Sequence, residues 1–203
     1  MNEELIFRVA FGIILIESVS ISGYYRARAR QAAPVIPRHA EGGALIVMRI
    51  IVALPLLATL LLFILYPDWL LWSKMQLPAL ARWSAVAVAT ATIPFTRWVF
   101  RSLGSNVSET ILTKEGQQLV TWGPYRWIRH PLYSGAVLML AALSIVAASW
   151  FMLLLVLLIV TMLWKLTMRE EAHLLVKFGD SYRDYMEHTG RFIPKLRTAG
   201  WRK

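Results

Sequence analysis

Apolar residues along this chain come in five blocks, near 5–24, 44–66, 79–100, 132–148 and 150–168. Each is about 17–25 residues long, the length a helix needs to cross roughly 30 Å of hydrocarbon. The pattern predicts an all-α integral membrane protein of about five transmembrane helices. The last two blocks are nearly continuous, interrupted only at Ala147-Ala148-Ser149-Trp150, and so predict a tight helical hairpin. Ala141, Ala142, Ser144, Ala147 and Ala148 are small enough to let its helices pack closely. Between the second and third blocks, PDWLLWSKMQLP carries two prolines with Trp69 and Trp72, as a short interfacial segment would. The first block lacks a small-residue cleavage site and more spans follow it, so it reads as a retained helix.

Beyond the fifth block the periodicity changes but persists. Leu174, Leu175 and Phe178 share one helical face, Gly179 is placed to stop that helix, and Asp180 to N-cap the next one. Tyr182, Tyr185 and Met186 then share a face before Gly190. The prediction is an amphipathic helical tail that lies on the membrane or covers a cytoplasmic opening. Two parts follow: three N-terminal transmembrane helices in 1–100, and in 101–203 a polar loop, the hairpin 132–168 and C-terminal helices 169–203.

Charge adds direction. The net charge is +10, with 57% of residues hydrophobic and 17% charged. Basic residues cluster at 26–38, 97–129 and from Lys165 onward, which places the amino terminus outside and the tail in the cytoplasm. That topology suits a prokaryotic inner membrane. Basic and aromatic residues do not interleave in the manner of nucleic-acid binders, so no nucleic-acid partner is expected. With no cysteine there is no disulfide, thiolate nucleophile or cysteine zinc site. His39, His173 and His188 lack metal-ligand spacing, and no metal is expected. The chain has no GxGxxG or Walker loop, which argues against a Rossmann fold.

Three stretches carry candidate chemistry. In WIRHPLYSG, Pro131 suits the first turn of a helix, leaving Arg129 and His130 at its positive end, where a carboxylate or phosphate would be held. The competing reading is interfacial anchoring by Arg, Tyr and Trp. Arg169-Glu170-Glu171 puts two acids at the C-terminal end of a span, where they oppose the helix dipole and ask for a partner, either Arg129 or a ligand hydroxyl or ammonium; the competing reading is a solvated helix face with Lys165 and Lys177 nearby. QQLVTWGPYRW reads as a short extended piece and a Gly123-Pro124 turn that could line a ring system. Glu17 and Arg49 sit inside apolar blocks and read as snorkelling residues or a structural pair.

The order LGSNVSETILTKEGQQLVTWGPYRWIRHPLYSG, hairpin, REEAHLLVKFGDSYRDYMEHTGRFIPKL resembles the isoprenylcysteine carboxyl methyltransferase family, relatives of the membrane phospholipid methyltransferases, over about 103–196. The resemblance implies S-adenosylmethionine as cofactor, with contacts from Gln117, Gln118, Leu119, Val120, Tyr125, His130, Pro131, Leu132, Tyr133 and Glu170. Relatives often have histidine where Gln117 stands, and a substrate-side arginine at the place of Leu166; Lys165 lies one position away, about 100° round a helix. The implied reaction is methyl transfer to a lipophilic or lipid-linked acceptor among the membrane lipids. A carboxylate needs no base and would pair with Arg129, with Arg169 or Lys165 as further substrate cations; an amine would need a base, for which Glu171 is placed. Two rivals are an NADPH-dependent sterol- or enone-reductase-like enzyme and a non-enzymatic lipid-binding scaffold.

Overall fold

A computed structural model describes residues 3–32, 43–107 and 118–195. Its helices are α1 (Glu3–Ala32), α2 (Gly43–Leu65), α3 (Ala79–Leu103), α4 (Pro131–Val146), α5 (Trp150–Phe178) and α6 (Asp180–His188). Each of the five apolar blocks is a helix. Two overrun their blocks: α1 continues through Arg26, Arg28 and Arg30, and α5 carries Glu170 and Glu171 on its extension. Apolarity marks contact with lipid, whereas helical hydrogen bonding continues into water wherever no breaker intervenes. α1, α2 and α5 are long and apolar enough to cross a membrane, while α4 has 16 residues. Leucine, isoleucine and valine rows such as Ile13, Ile16, Ile51, Leu54, Leu57, Leu61 and Leu157 face outward, a surface suited to lipid rather than water.

α4 lies at the centre, packed on α3 and α5, while α1 packs on α3 and α2 on α5. A Cβ at Gly135 would meet the Phe95 ring at 3.1 Å, so this glycine sets the close approach of α3 and α4. The hairpin turn is as tight as the sequence suggests. Ala148 takes a left-handed φ of 50°, and Ser149 caps α5 by accepting from Met152 N at 3.3 Å. Trp69 and Trp72 are exposed on the 3-10 turn Pro67–Ser73.

That turn belongs to a polar clasp at the hairpin end of the bundle. Buried Arg82 bonds the Val146 carbonyl at 2.9 Å and both oxygens of Glu4 at 3.0 and 2.9 Å, with its guanidinium 3.9 Å from the Phe7 ring centroid. Lys74 also reaches Glu4, at 2.7 Å. Arg82→Leu leaves the Val146 carbonyl and a half-exposed Glu4 without these donors, at a cost of about 2 kcal/mol. The expected result is a lower melting temperature in detergent while ligand affinity at the opposite end is unchanged.

The α5–α6 junction corrects one expectation. Asp180 is not the N-cap: Gly179, with φ +55°, fills that position and no residue intervenes, so Asp180 is the first helical residue and pairs with Arg183 at 2.6 Å. The tail helix itself is amphipathic as expected, with Tyr182 and Tyr185 buried.

Candidate active site

The start of α4 is built by two tight glycine turns. Gly123 has φ +62°, and a Cβ there would fall 2.2 Å from Ser102 Oγ, so only glycine lets the 3-10 turn Gly123–Arg126 sit against α3. Pro124 and Tyr125 are thereby buried, and 127–130 run toward Pro131, the first residue of α4. Gly190 turns the chain after α6 so that residues 190–192 lie alongside. Its N–H donates to Trp127 O at 3.2 Å, Arg129 N–H donates to Gly190 O at 2.8 Å and His130 N–H to Arg191 O at 3.0 Å. Ser134 Oγ donates to Phe192 O at 2.8 Å. The backbone donors at 129 and 130, which the sequence leaves open to an anion, are therefore taken by the tail's carbonyls. The tail forms a strap across the head of α4.

Gly190 has no room for a side chain, since a Cβ would sit 1.7 Å from Ile193 O. Gly190→Ala is expected to lift the strap, exposing His130 and Arg129. Limited proteolysis within 186–195 should accelerate several-fold, with the helices unchanged by circular dichroism.

Beneath the strap lies an ionic cluster. Glu171 is 3% exposed and accepts from Arg129 Nε at 2.9 Å and from Arg191 Nη2 at 2.6 Å. His130 Nε2 lies 3.2 Å from the same carboxylate. A carboxylate can only accept, so in this contact Nε2 is the donor. Arg129 also donates to the carbonyls of Met186, at 3.2 Å, and Thr189. Charge in so dry a place persists only when paired on every side, which Glu171 is.

Glu170 faces a different neighbourhood. It accepts from the Tyr133 hydroxyl at 3.1 Å, and His130 Nδ1 is 3.8 Å away. His130 is thus held between the two glutamates, stacked on Tyr133 with centroids 5.7 Å apart and planes 14° from parallel. Phe192 of the strap closes its other side at 5.9 Å and in turn meets Trp164 of α5 at 5.9 Å. From the first two helices, the charges of Arg49 and Arg26 reach the Tyr133 hydroxyl. Arg26 is half-buried, its Nε donating to Ser22 Oγ at 3.1 Å, whereas Arg28 and Arg30 are exposed.

Three tyrosines line the tail side. Burial pushes Tyr125, Tyr182 and Tyr185 above the usual tyrosine range, keeping each a neutral donor, and the Glu171 charge adds to the shift of Tyr182. Tyr185 donates to Tyr125 O at 2.7 Å. Tyr182 is 1% exposed, yet its hydroxyl has no hydrogen-bond partner among the described residues.

Of the residues singled out in the sequence, Arg129, His130, Tyr133, Glu170 and Glu171 converge, with Tyr125 near enough to feel the Glu170 charge. Val120 is buried against Val99 and Tyr125, with half-buried Leu132 packed on them. Pro131 is buried and Leu119 half-buried. Gln118 is exposed, its N–H held by Asn106 Oδ1 at 3.0 Å. Gln117 lies outside the described residues. Lys165 and Arg169 are exposed on α5, and Leu166 is buried in the helix core. Sequence reasoning did not single out Arg191 or Tyr182. Arg191 lies past a glycine turn, where periodicity ends, and Tyr182 had been read only as one position of an apolar face. Arg49 did carry a signal, a charge within an apolar block.

Residues 80–181, just over half the chain, match the phospholipid methyltransferase family, and the chain belongs to that family. This chain also resembles two named proteins over part of its length. It is 35% identical over 57 residues to YpbQ of Bacillus subtilis (strain 168), covering 28% of this chain and 34% of that protein. It is 30% identical over 83 residues to the nickel-cobalt-cadmium resistance protein NccN of Alcaligenes xylosoxydans xylosoxydans, covering 41% of this chain and 39% of NccN. The matched stretches thus span a third to two-fifths of these relatives' length. A solved structure of the eukaryotic intramembrane Ras methyltransferase, isoprenylcysteine carboxyl methyltransferase, aligns with a TM-score of 0.48 and 21% identity, over 80% of this chain and 55% of that one.

The site's chemistry fits an adenosyl sulfonium cofactor. Glu170 carries a partly exposed carboxylate, Tyr182 a buried hydroxyl with no hydrogen-bond partner among the described residues, and Tyr133, Leu119 and Val120 offer ring and apolar surface.

Proposed function

We propose that this protein transfers a methyl group from S-adenosylmethionine to the carboxylate of a lipophilic acceptor, working at the cytoplasmic face of a prokaryotic inner membrane with its amino terminus outside. The observation that carries this reading is His130 held between Glu170 and Glu171 and stacked on Tyr133, at the strap-covered head of α4, inside the segment that defines the family. The cofactor supplies, when bound, a methyl group already activated on a sulfonium. The chain's task is alignment and exclusion of water. Residues 101–203 form the methyltransferase core, and the helices of 1–100 supply the acceptor's side.

His130, Tyr133 and Glu170 bind and orient the cofactor, with Gln117, Gln118, Leu119, Val120, Tyr125, Pro131 and Leu132 completing its contacts. Glu171 is occupied by two guanidiniums and an imidazole, so its part is positioning rather than proton abstraction. Arg129 is spent on Glu171 and two tail carbonyls. The charges of Arg26 and Arg49 act on the Tyr133 side of the site, and cations there favour a carboxylate over a protonated amine. Exposed Lys165 and Arg169 would meet lipid headgroups at the rim. Lipophilic acceptors reach the site from the bilayer, and the water-soluble cofactor from the cytoplasm.

The test is tritiated-methyl transfer to a series of amphiphiles sharing one alkyl chain and ending in carboxylate, carboxamide or amine, in proteoliposomes. Base-labile methyl ester on the carboxylate alone is expected. Label on the amine alone would contradict the acceptor, and no label on any acceptor, including fractionated membrane lipids, would contradict the transfer.

A further inference from the structure

α1 carries an acid for which the bundle supplies no partner. Glu17 is exposed and makes no hydrogen bond or ion pair among the described residues. Ile13 and Ile16 beside it are exposed as well and belong to the lipid-facing rows. Its depth follows from the packing of α1 on α3. Phe7 meets Trp83 near one end of α3, with ring centroids 5.0 Å apart, and Tyr25 stacks on Phe100 near the other, at 5.2 Å. At about 1.5 Å per residue, Glu17 lies roughly 15 Å from the first level and roughly 12 Å from the second. Snorkelling does not rescue it. Helical side chains lean toward the helix N-terminus, so this short one points away from the nearer interface. An acid held in hydrocarbon calls for a donor from outside the bundle.

The same face of α1 carries such a donor. Ser20 is exposed one turn further on, and its hydroxyl has no partner among the described residues. Gly23 and Ala27 are exposed beyond it, and a Cβ on Gly23 would meet nothing within 4 Å. Small residues let a second helix backbone come close, and hydroxyl donors then bond across the contact. Two copies in one bilayer run parallel, so each residue meets its counterpart and those one turn above and below. Ser20 lies about 60° round the helix from Glu17. With the two-fold axis passing beside Ile16 and Ser20, the two acids sit on opposite flanks of the contact, apart from each other. Each then falls beside the Ser20 of the other copy. The face is complementary to itself, and no foreign cation is required.

We propose that a second copy of this chain covers this face, α1 against α1, with the Ser20 hydroxyl of each copy donating to Glu17 of the other. Arg26, half a turn round α1 from Glu17, is half-buried on the side of the bundle. The contact therefore leaves the head of α4 free, and it stands apart from the methyltransferase reading.

The chain has no cysteine, so an introduced thiol reports the contact without background. Ile16→Cys and Leu157→Cys, the latter exposed on α5, are each reconstituted in phosphatidylethanolamine–phosphatidylglycerol vesicles and oxidised with copper phenanthroline. Ile16→Cys should form a covalent dimer several-fold faster than Leu157→Cys. Adding Glu17→Leu to Ile16→Cys should slow cross-linking three- to tenfold, the range of a hydrogen bond between membrane helices. Adding Gly23→Leu, which has room in a single copy, should slow it at least as much, with helix content unchanged by circular dichroism. Equal rates for the two thiols, or a rate that Glu17→Leu leaves unmoved, would overturn the inference. So would a cross-link in native membranes to a different protein in place of the homodimer.

Discussion

Glu171→Gln is expected to cost about 3 kcal/mol of stability, the penalty for removing one partner from a buried ion pair. The size follows from how dry the site is. Glu171 is 3% exposed, and the Arg129 side chain is 7% exposed with its remaining bonds going to tail carbonyls. An amide in place of the carboxylate turns one acceptor into a donor facing a guanidinium, leaving Arg129 a buried charge without its counter-ion. A domain of this size should lose roughly 6–12 °C of melting temperature, read by thermal unfolding in detergent. The strap should loosen as well, because Arg191 is held by the same carboxylate. Arg191→Gln should cost less, since that side chain is 24% exposed and water can replace part of what it loses. Equal losses for the two variants would argue against Glu171 as the organising anion.

Glu170→Gln should behave in the opposite way, with melting nearly unchanged and cofactor affinity and turnover down by roughly 30- to 100-fold, the loss of one charged partner in a partly dry site. Its side chain is 25% exposed, so an amide is tolerated in the free protein, and the Tyr133 hydroxyl still finds an oxygen to donate to. Tyr133→Phe removes only that hydroxyl and should weaken binding by about tenfold or less. Calorimetric titration with S-adenosylhomocysteine, set beside melting temperatures, separates the adjacent glutamates. One is expected to hold the protein together, and the other to hold the ligand.

Much of this was legible in the sequence because it is periodic. The five apolar blocks, the hairpin at Ala147-Ala148-Ser149 and the paired faces of Tyr182 and Tyr185 follow from spacing, which a helix converts directly into direction. Convergence of Arg129, His130, Tyr133, Glu170 and Glu171 was also foreseeable, since both sets flank one hairpin and so share one end of it. What the sequence left ambiguous was assignment within the set. The pairing of Arg129 with the two acids was legible, but nothing local distinguishes Glu171 from Glu170 as the partner, 42 residues away. Helix geometry turns adjacent residues about 100° apart, so one glutamate faces the cluster and the other faces Tyr133. The strap was hidden for a different reason. Residues 190–192 dock by backbone hydrogen bonds, which carry almost no side-chain signature beyond a glycine. Arg49 was ambiguous because a charge near a span's end suits snorkelling and a structural pair equally well.

The most direct measurement is calorimetric titration of the purified protein, in detergent or nanodiscs, with S-adenosylhomocysteine and with NADPH. The expected result is saturable binding of S-adenosylhomocysteine that is lost in Glu170→Gln, with no heat from NADPH. Binding of NADPH alone, or of neither nucleotide, would contradict the reading of the head of α4 as a methyl-donor site.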